Sequence, residues 1–189
     1  MGAVRIWGFR VLVAIAAFII VISATMPWWI CYVRAIEGSS ITLKIYQYGI
    51  PESLLDSVGQ SISEYGAAEF MSKIYGDITP FYQSVLAWVY LAVSVGLILY
   101  STWLTERKGR WLLGGVGLIY VVYAIIAVVW IAVRTGDFGI SLQGESIITR
   151  ASTDARLGFG YYLAHAGGLM CIVLALLRNI IVGRPKISV

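Results

Sequence analysis

The sequence predicts an integral membrane protein, mainly α: a four-transmembrane-helix bundle with both termini cytoplasmic and a small outer α+β element from two outer loops. Three observations lead there. The chain of 189 residues is 59% hydrophobic and only 13% charged, with a mean hydropathy of +0.83, which excludes an ordinary soluble domain. It contains four apolar runs long enough to cross a hydrocarbon core of about 30 Å, which takes about 20 residues of helix. Its basic residues are distributed unevenly among the connecting segments.

The runs lie at about 7–30, 81–104, 111–133 and 158–182 of a single membrane domain, 1–189. No Asp, Glu or Lys falls in their interiors. Lipid offers backbone amides no hydrogen-bond partner, so such runs must be helical. Arg5, Arg10, Arg107, Lys108, Arg110, Arg178, Arg184 and Lys186 cluster at the termini and in the short loop 105–110, against Glu106 alone. The other six cations share the remaining loops, about 31–80 and 134–157, with nine acids. The positive-inside rule makes the first set cytoplasmic and the two longer loops outward-facing, as in a plasma-membrane protein. The net charge of +4 then reflects topology and implies no nucleic-acid partner.

The first run has a rival reading as a cleaved signal peptide, with Arg5 and Arg10 ahead of it and Ser23-Ala24-Thr25 near its end. Its apolar character continues through Trp28, Trp29, Ile30 and Tyr32, beyond a usual signal core, and Thr is a poor cleavage residue. A retained span is the better reading. Trp28 and Trp29 are expected as interface anchors, since indoles favour the headgroup zone.

After this span, Cys31–Ile36 and Ile41–Tyr48 read as two strands joined by Glu37-Gly38-Ser39-Ser40, the second alternating apolar and polar residues before Gly49 and Pro51. Gly139–Leu142 and Ser146–Thr149 look like a second hairpin around Gln143-Gly144-Glu145. One hairpin is marginal alone, so both loops are expected to join one antiparallel sheet. Segment 53–75 should cover it as an amphipathic helix, with capping-box patterns at Ser53 and Ser61 and apolar Leu54, Val58, Ile62, Phe70 and Ile74 at helical spacing. Cys31 and Cys171 belong to different depths and should not pair.

Sites for chemistry are sparse. Counting Arg10 and Arg178 with the cytoplasmic ends leaves His165 as the ionisable side chain within the spans. Haem or metal ligation is the sharper hypothesis for it, and a neutral imidazole hydrogen-bonded to Tyr or a backbone carbonyl is preferred. It is the chain's one histidine, and no carboxylate lies at matching depth, so no cofactor, metal or catalytic residue is assigned. No nucleophile stands with a base, and no broken helix or paired midplane polar group marks a transporter. Gly160, Ala164 and Gly168, with Gly114, Gly115 and Gly117, form small-residue rows suited to close helix packing. Tyr90, Tyr100, Tyr120, Tyr123, Trp88 and Trp130 read as scattered packing and interface anchors, not a quinone or pigment box.

Pro51-Glu52-Ser53-Leu54-Leu55-Asp56 after a strand, and Ala155-Arg156-Leu157-Gly158-Phe159-Gly160-Tyr161-Tyr162 leading into the last span, resemble the claudin-like tetraspan membrane proteins. The resemblance covers nearly the whole chain as topology: a long first outer loop beginning as a strand, a short cytoplasmic loop and a shorter second outer loop. The family's Trp–Gly-Leu-Trp–Cys–Cys motif and its disulfide are absent, because Trp28, Trp29 and Cys31 stand early and no second outer cysteine exists. The resemblance implies architecture and leaves the role open.

The expected role is non-enzymatic: an outer recognition surface acting as scaffold or organiser through contacts with other membrane or outer-surface proteins, or with itself. Tyr46, Tyr48, Glu52, Asp56 and Glu69 are the expected contact residues, aromatics supplying area and acids orientation. An accessory subunit of a respiratory or transport complex is the alternative, followed by an oligomeric channel or transporter.

Overall fold

The computed structural model describes residues 2–35, 40–47, 81–136, 139–148 and 151–182. Their elements run α1 (Gly2–Thr25), β1 (Trp29–Ala35), β2 (Ser40–Ile45), α2 (Phe81–Tyr100), α3 (Glu106–Gly136), β3 (Gly144–Ile148), β4 (Ala151–Leu157) and α4 (Phe159–Val182). The expected cover helix, 53–75, lies outside the described residues.

Three helices are long and apolar enough to cross a membrane, over Val4–Thr25, Glu106–Val133 and Phe159–Val182; the corresponding stretch of α2, Val85–Tyr100, is shorter. Apolar side chains stay exposed around the bundle, among them Phe18 on α1, Leu86 on α2, Ile126 on α3 and Leu176 on α4. The buried seam is made of Val13, Ala16, Ile20, Leu91, Ile98, Leu113, Tyr120, Ala124, Ala164, Cys171 and Ala175 with their neighbours.

Helix α4 packs closely on both α1 and α3, while α2 leans on α1 and α3 from the far side. Small residues set this spacing. A Cβ on Gly167 would stand 2.6 Å from Ile20 of α1, and one on Gly168 2.6 Å from Val121 of α3. Gly117 faces the Gly168 carbonyl in the same way, and Gly114 faces Ala175, whereas Gly115 has nothing within 4 Å. Gly160 faces the end of α1 and Ala164 is buried in the core of the bundle, so this row packs within the chain. Such contact replaces lipid with protein at higher density, the main attraction between helices in an apolar medium.

The first helix stops at Thr25, short of the span expected to reach Ile30, and Trp29 and Ile30 already belong to β1. The cause is Pro27: the residue before a proline is pushed out of the α region, which takes Met26 from the helix. Helix α2 likewise ends at Tyr100, and Ser101–Trp103 form a turn closed by Thr102 N–H on Leu99 O and Trp103 N–H on Tyr100 O. Helix α3 runs past both ends of the expected third span, and Gly139, at φ +74°, closes it with Ile140 N–H on Thr135 O.

The strands form one antiparallel sheet in the order β2-β1-β4-β3. The first hairpin pairs Cys31 with Leu43 and Tyr32 with Thr42. The second is not the expected pairing of Gly139–Leu142 with Ser146–Thr149. Instead β3 pairs with β4, Gly144 facing Ala155 and Ile147 facing Ser152. The Ser141 N–H is taken by Ser146 Oγ and the Leu142 carbonyl by the Trp29 indole, so this segment works as a bridge beneath the sheet rather than as a strand. Residues 151–157 carry the missed signal, with Thr153 and Ala155 buried and Ser152, Asp154 and Arg156 exposed at period two.

The central pair, β1 and β4, is in register from Trp29↔Leu157 to Ala35↔Ala151. Each continues from a helix, β1 from α1 and β4 into α4. Where the two junctions meet, Gly158 N–H donates to Trp28 O at 2.8 Å and Gly160 N–H to Pro27 O at 3.0 Å. The Trp28 indole donates to Ser23 O at 2.9 Å. The carbonyls of the Pro27-Trp28 link that follows α1 thus meet the amides at the entry to α4, while the Trp28 indole takes up Ser23 O, one of the last carbonyls of α1. No side chain fits between them: a Cβ on Gly158 would overlap the Pro27 carbonyl, and one on Gly160 would stand 2.5 Å from Met26 O.

Gly158→Ala should therefore lower stability by about 1–3 kcal/mol through forced backbone separation. Gly115→Ala, with open space around it, should be neutral or stabilising by up to about 1 kcal/mol, as alanine replaces a helical glycine. Unfolding midpoints of the two variants in detergent, compared with the parent chain, check the contrast.

Candidate functional site

The sheet has an inner and an outer face. Trp29, Cys31, Leu43, Ile45, Thr153 and Ala155 point inward and are buried. The opposite face carries Tyr32, Arg34, Lys44, Glu145, Asp154 and Arg156, exposed or half-buried. Cross-strand register sets the pattern: Thr42, Tyr32, Asp154 and Glu145 form one row, and Lys44, Ile30 and Arg156 the row beside it. Arg156 reaches diagonally to Tyr32, donating to its hydroxyl at 2.7 Å with the guanidinium 5.1 Å from the ring centroid. The same face ends at Ile147 on β3, 91% exposed.

Of the expected contact residues, Tyr46 is described and half-buried, bridging the end of β2; Tyr48, Glu52, Asp56 and Glu69 lie outside the described residues. The charged face of β1 and β4 was missed by sequence reasoning, although the alternation in residues 151–157 could have found it.

Trp28 and Trp29, expected as interface anchors, are each 1% exposed and sit in the core. Their indole N–H groups go to Ser23 O and Leu142 O, bonds that lock the helix–sheet junction rather than a lipid headgroup. Cys31 lies beside them, a free thiol buried under β1, and Cys171 is free and buried in α4. Burial, with a smaller contribution from the nearby Asp154 carboxylate, pushes the Cys31 thiol up from an ordinary 9.0 to about 12.

Below the sheet the bundle holds a cluster of tyrosines that the sequence shows only as scattered positions. Tyr120 of α3 is fully buried, and its hydroxyl donates to Gln47 Oε1 at 3.0 Å. Ser23 of α1 donates to Ile20 O at 2.6 Å and stands 3.4 Å from the Tyr120 oxygen. The Tyr90 ring of α2 lies parallel to that of Tyr120, with centroids 5.8 Å apart, and 4.6 Å from that of Tyr123. Trp28 packs edge-on against Tyr123 and Tyr161, at 6.0 and 6.4 Å. Ser94 and Gln47 lie beside Tyr90 and Tyr123 respectively. Among the described residues these neighbours stand too far or too oblique to close a full hydrogen bond with the buried Tyr90 hydroxyl or Gln47 Nε2.

His165 is half-buried one turn beyond Tyr161, with Nδ1 3.0 Å from the Tyr161 carbonyl and the two rings 4.3 Å apart. A carbonyl only accepts, so Nδ1 carries the proton in this contact. Among the described residues no group of three or more His, Cys, Asp or Glu is placed to hold a metal ion.

At the other end of the bundle, Arg178 of α4 is only 6% exposed. Its guanidinium donates to Ser101 O at 3.1 Å and Leu104 O at 3.0 Å, and stands 5.2 Å from the Phe9 ring. It takes up two carbonyls of the segment that follows α2 and ties that segment to α4. Gly109 clears space for it, since a Cβ there would overlap the guanidinium.

No protein-family model matches the chain, and no curated protein matches it either.

Cys31 should resist maleimide near neutral pH in the folded chain and react promptly after SDS denaturation, because only the thiolate is nucleophilic. Its folded pKa is raised, so the stability contributed by the protonated thiol is complete below about pH 9 and is lost as pH climbs toward 12. Label stoichiometry by mass spectrometry, with and without denaturant, checks the first expectation. The alkaline unfolding midpoint of Cys31→Ser against the parent chain checks the second.

Proposed function

We propose that this is an integral membrane protein of the plasma membrane, with four spanning helices and cytoplasmic termini, that presents its sheet outside the cell as a protein-recognition surface. The belt of exposed apolar side chains around the bundle supports the membrane placement, since soluble monomers rarely leave so much contiguous apolar surface uncovered. Arg107, Lys108 and Arg110 lie in the first turns of α3, next to the turn that follows α2 and at the end of the bundle opposite the sheet, which supports an outward-facing sheet by the positive-inside rule.

One observation carries the recognition reading: the charged outer face of β1 and β4 sits on two strands continuous with the closely packed helices α1 and α4. Side chains on such a base lose little conformational freedom when a partner docks. Arg34, Lys44 and Arg156 alternate with Glu145 and Asp154, a pattern suited to reading the charges of another protein rather than a uniformly charged polymer. The partner is another outer-surface protein or a second copy. In this role the chain performs no chemistry of its own and organises neighbours by contact.

Topology is tested by single added thiols, helped by the burial of both native cysteines. In intact cells Ser152→Cys should react with a membrane-impermeant maleimide, and Lys108→Cys only after permeabilisation; the reverse pattern overturns the orientation. Recognition is tested by cross-linking through Lys44 in native membranes, with neighbours identified by mass spectrometry. Reversing Arg34 and Asp154 together should remove the main outer-surface neighbour while leaving the unfolding midpoint within about 0.5 kcal/mol of the parent, as expected of surface changes. Unchanged neighbours, or stoichiometric recovery with large cofactor-bearing membrane subunits, would instead favour the accessory-subunit role.

A further inference from the structure

We propose that the outer face of the sheet pairs with the same face of a second copy in the same membrane, about a two-fold axis running along the strands. The inference rests on the recognition reading above and names its partner.

The charges of the face are divided sideways. The strand order β2-β1-β4-β3 splits it into two halves. Arg34 of β1 and Lys44 of β2 stand on one half, Glu145 of β3 and Asp154 of β4 on the other. Arg156 belongs to β4, yet its guanidinium donates to the Tyr32 hydroxyl and lies over that ring, which brings its charge above β1. Among the described residues of this face, cations therefore occupy the β1–β2 half and acids the β4–β3 half.

A two-fold contact uses one patch on both partners, so the patch must complement itself. Turning a copy about an axis along the strands sets its β4 opposite β1 and its β3 opposite β2, at unchanged height. The partner's Asp154 then meets Tyr32, with the Arg156 guanidinium upon it, and the partner's Glu145 meets Thr42, one row from Lys44. An axis across the strands would set each half against its like, which opposes association. The division of charge thus selects the first axis. Because β1 and β4 continue from α1 and α4, that axis leaves both bundles side by side in one bilayer.

The area sets the strength. Strands about 4.8 Å apart, with outward residues about 6.7 Å apart along each, make a face of roughly 400 Å². Stable soluble pairs bury about 800 Å² on each partner, so this contact depends on the membrane to hold and concentrate both copies.

The test therefore uses the full chain in isolated membranes. Ser152→Cys places an exposed thiol on β4, beside the axis, while both native cysteines are buried. A short, membrane-permeant bismaleimide should join two such chains. Ile147→Cys, on the outermost strand, would lie about 14 Å sideways from its mate and should join at least about fivefold less. Two charge variants are then built on Ser152→Cys: Arg34→Glu with Lys44→Glu, and Glu145→Lys with Asp154→Lys. Either alone gives both halves the same net sign and should lower the dimer yield about tenfold. Co-expressed, the two should restore it, because opposed halves again differ in sign. Their unfolding midpoints in detergent should match the parent chain's, as expected of surface changes. The proposal is overturned if Ser152→Cys gives no more dimer than Ile147→Cys, if the charge variants pair as the parent does, or if co-expression restores nothing. Absence of this dimer while Lys44 cross-links to a different outer-surface protein overturns self-pairing and leaves the recognition reading standing. No neighbour by either route overturns both.

Discussion

Backbone amides and carbonyls that water cannot reach must find partners inside the protein, and the junction of α1 with α4 is where this requirement shapes the molecule. Pro27 stops α1, and the carbonyls of Pro27 and Trp28 stand open just where the chain enters α4 with open amides. The two sets close on each other through Gly158 and Gly160, with the Trp28 indole serving Ser23 O at the end of α1. Because the pairing is backbone to backbone, it fixes the helices' relative height as well as their distance. That height sets the register of β1 on β4, which begins at Trp29↔Leu157, one residue from the junction on each strand. The sheet inherits its tilt and facing from a few hydrogen bonds at its base.

What could be read from the sequence follows the range of the interaction involved. Helix runs and the hairpin of β1 with β2 were legible because hydrophobic periodicity and a nearby turn specify them locally. The second hairpin was misplaced because Gly139–Leu142 has a strand-like pattern but spends its polar groups on Ser146 and Trp29, a choice only the folded chain makes. Trp28 and Trp29 misled for a related reason: an indole near a membrane boundary suits lipid or core equally, and the carbonyls of Ser23 and Leu142 decided between them. Arg178 reads as one more cation at a cytoplasmic end until Ser101 and Leu104 come to it from residues more than seventy positions away. The tyrosine cluster was wholly hidden, since Gln47, Tyr90, Tyr120 and Ser23 come from four separate segments.

The two ends of the bundle bury different kinds of polar group. At the Arg178 end a cation donates to the bare carbonyls of Ser101 and Leu104, which holds the end of α2 against α4. At the sheet end the groups are neutral, the Tyr120 hydroxyl donating to Gln47 Oε1 and the Ser23 hydroxyl to Ile20 O.

The direct continuation of helix into strand has a mechanical consequence. In the proposed recognition role, a partner held by the outer face and moving away would apply tension along β1 and β4, and the covalent backbone would carry that tension straight into α1 and α4. Side-chain contacts between sheet and bundle need not bear it. Both strands are anchored at the same end, where Trp29 faces Leu157, so such a pull draws them in the same direction and the rungs between them carry little of it. The load is shared by two covalent paths, one through α1 and one through α4.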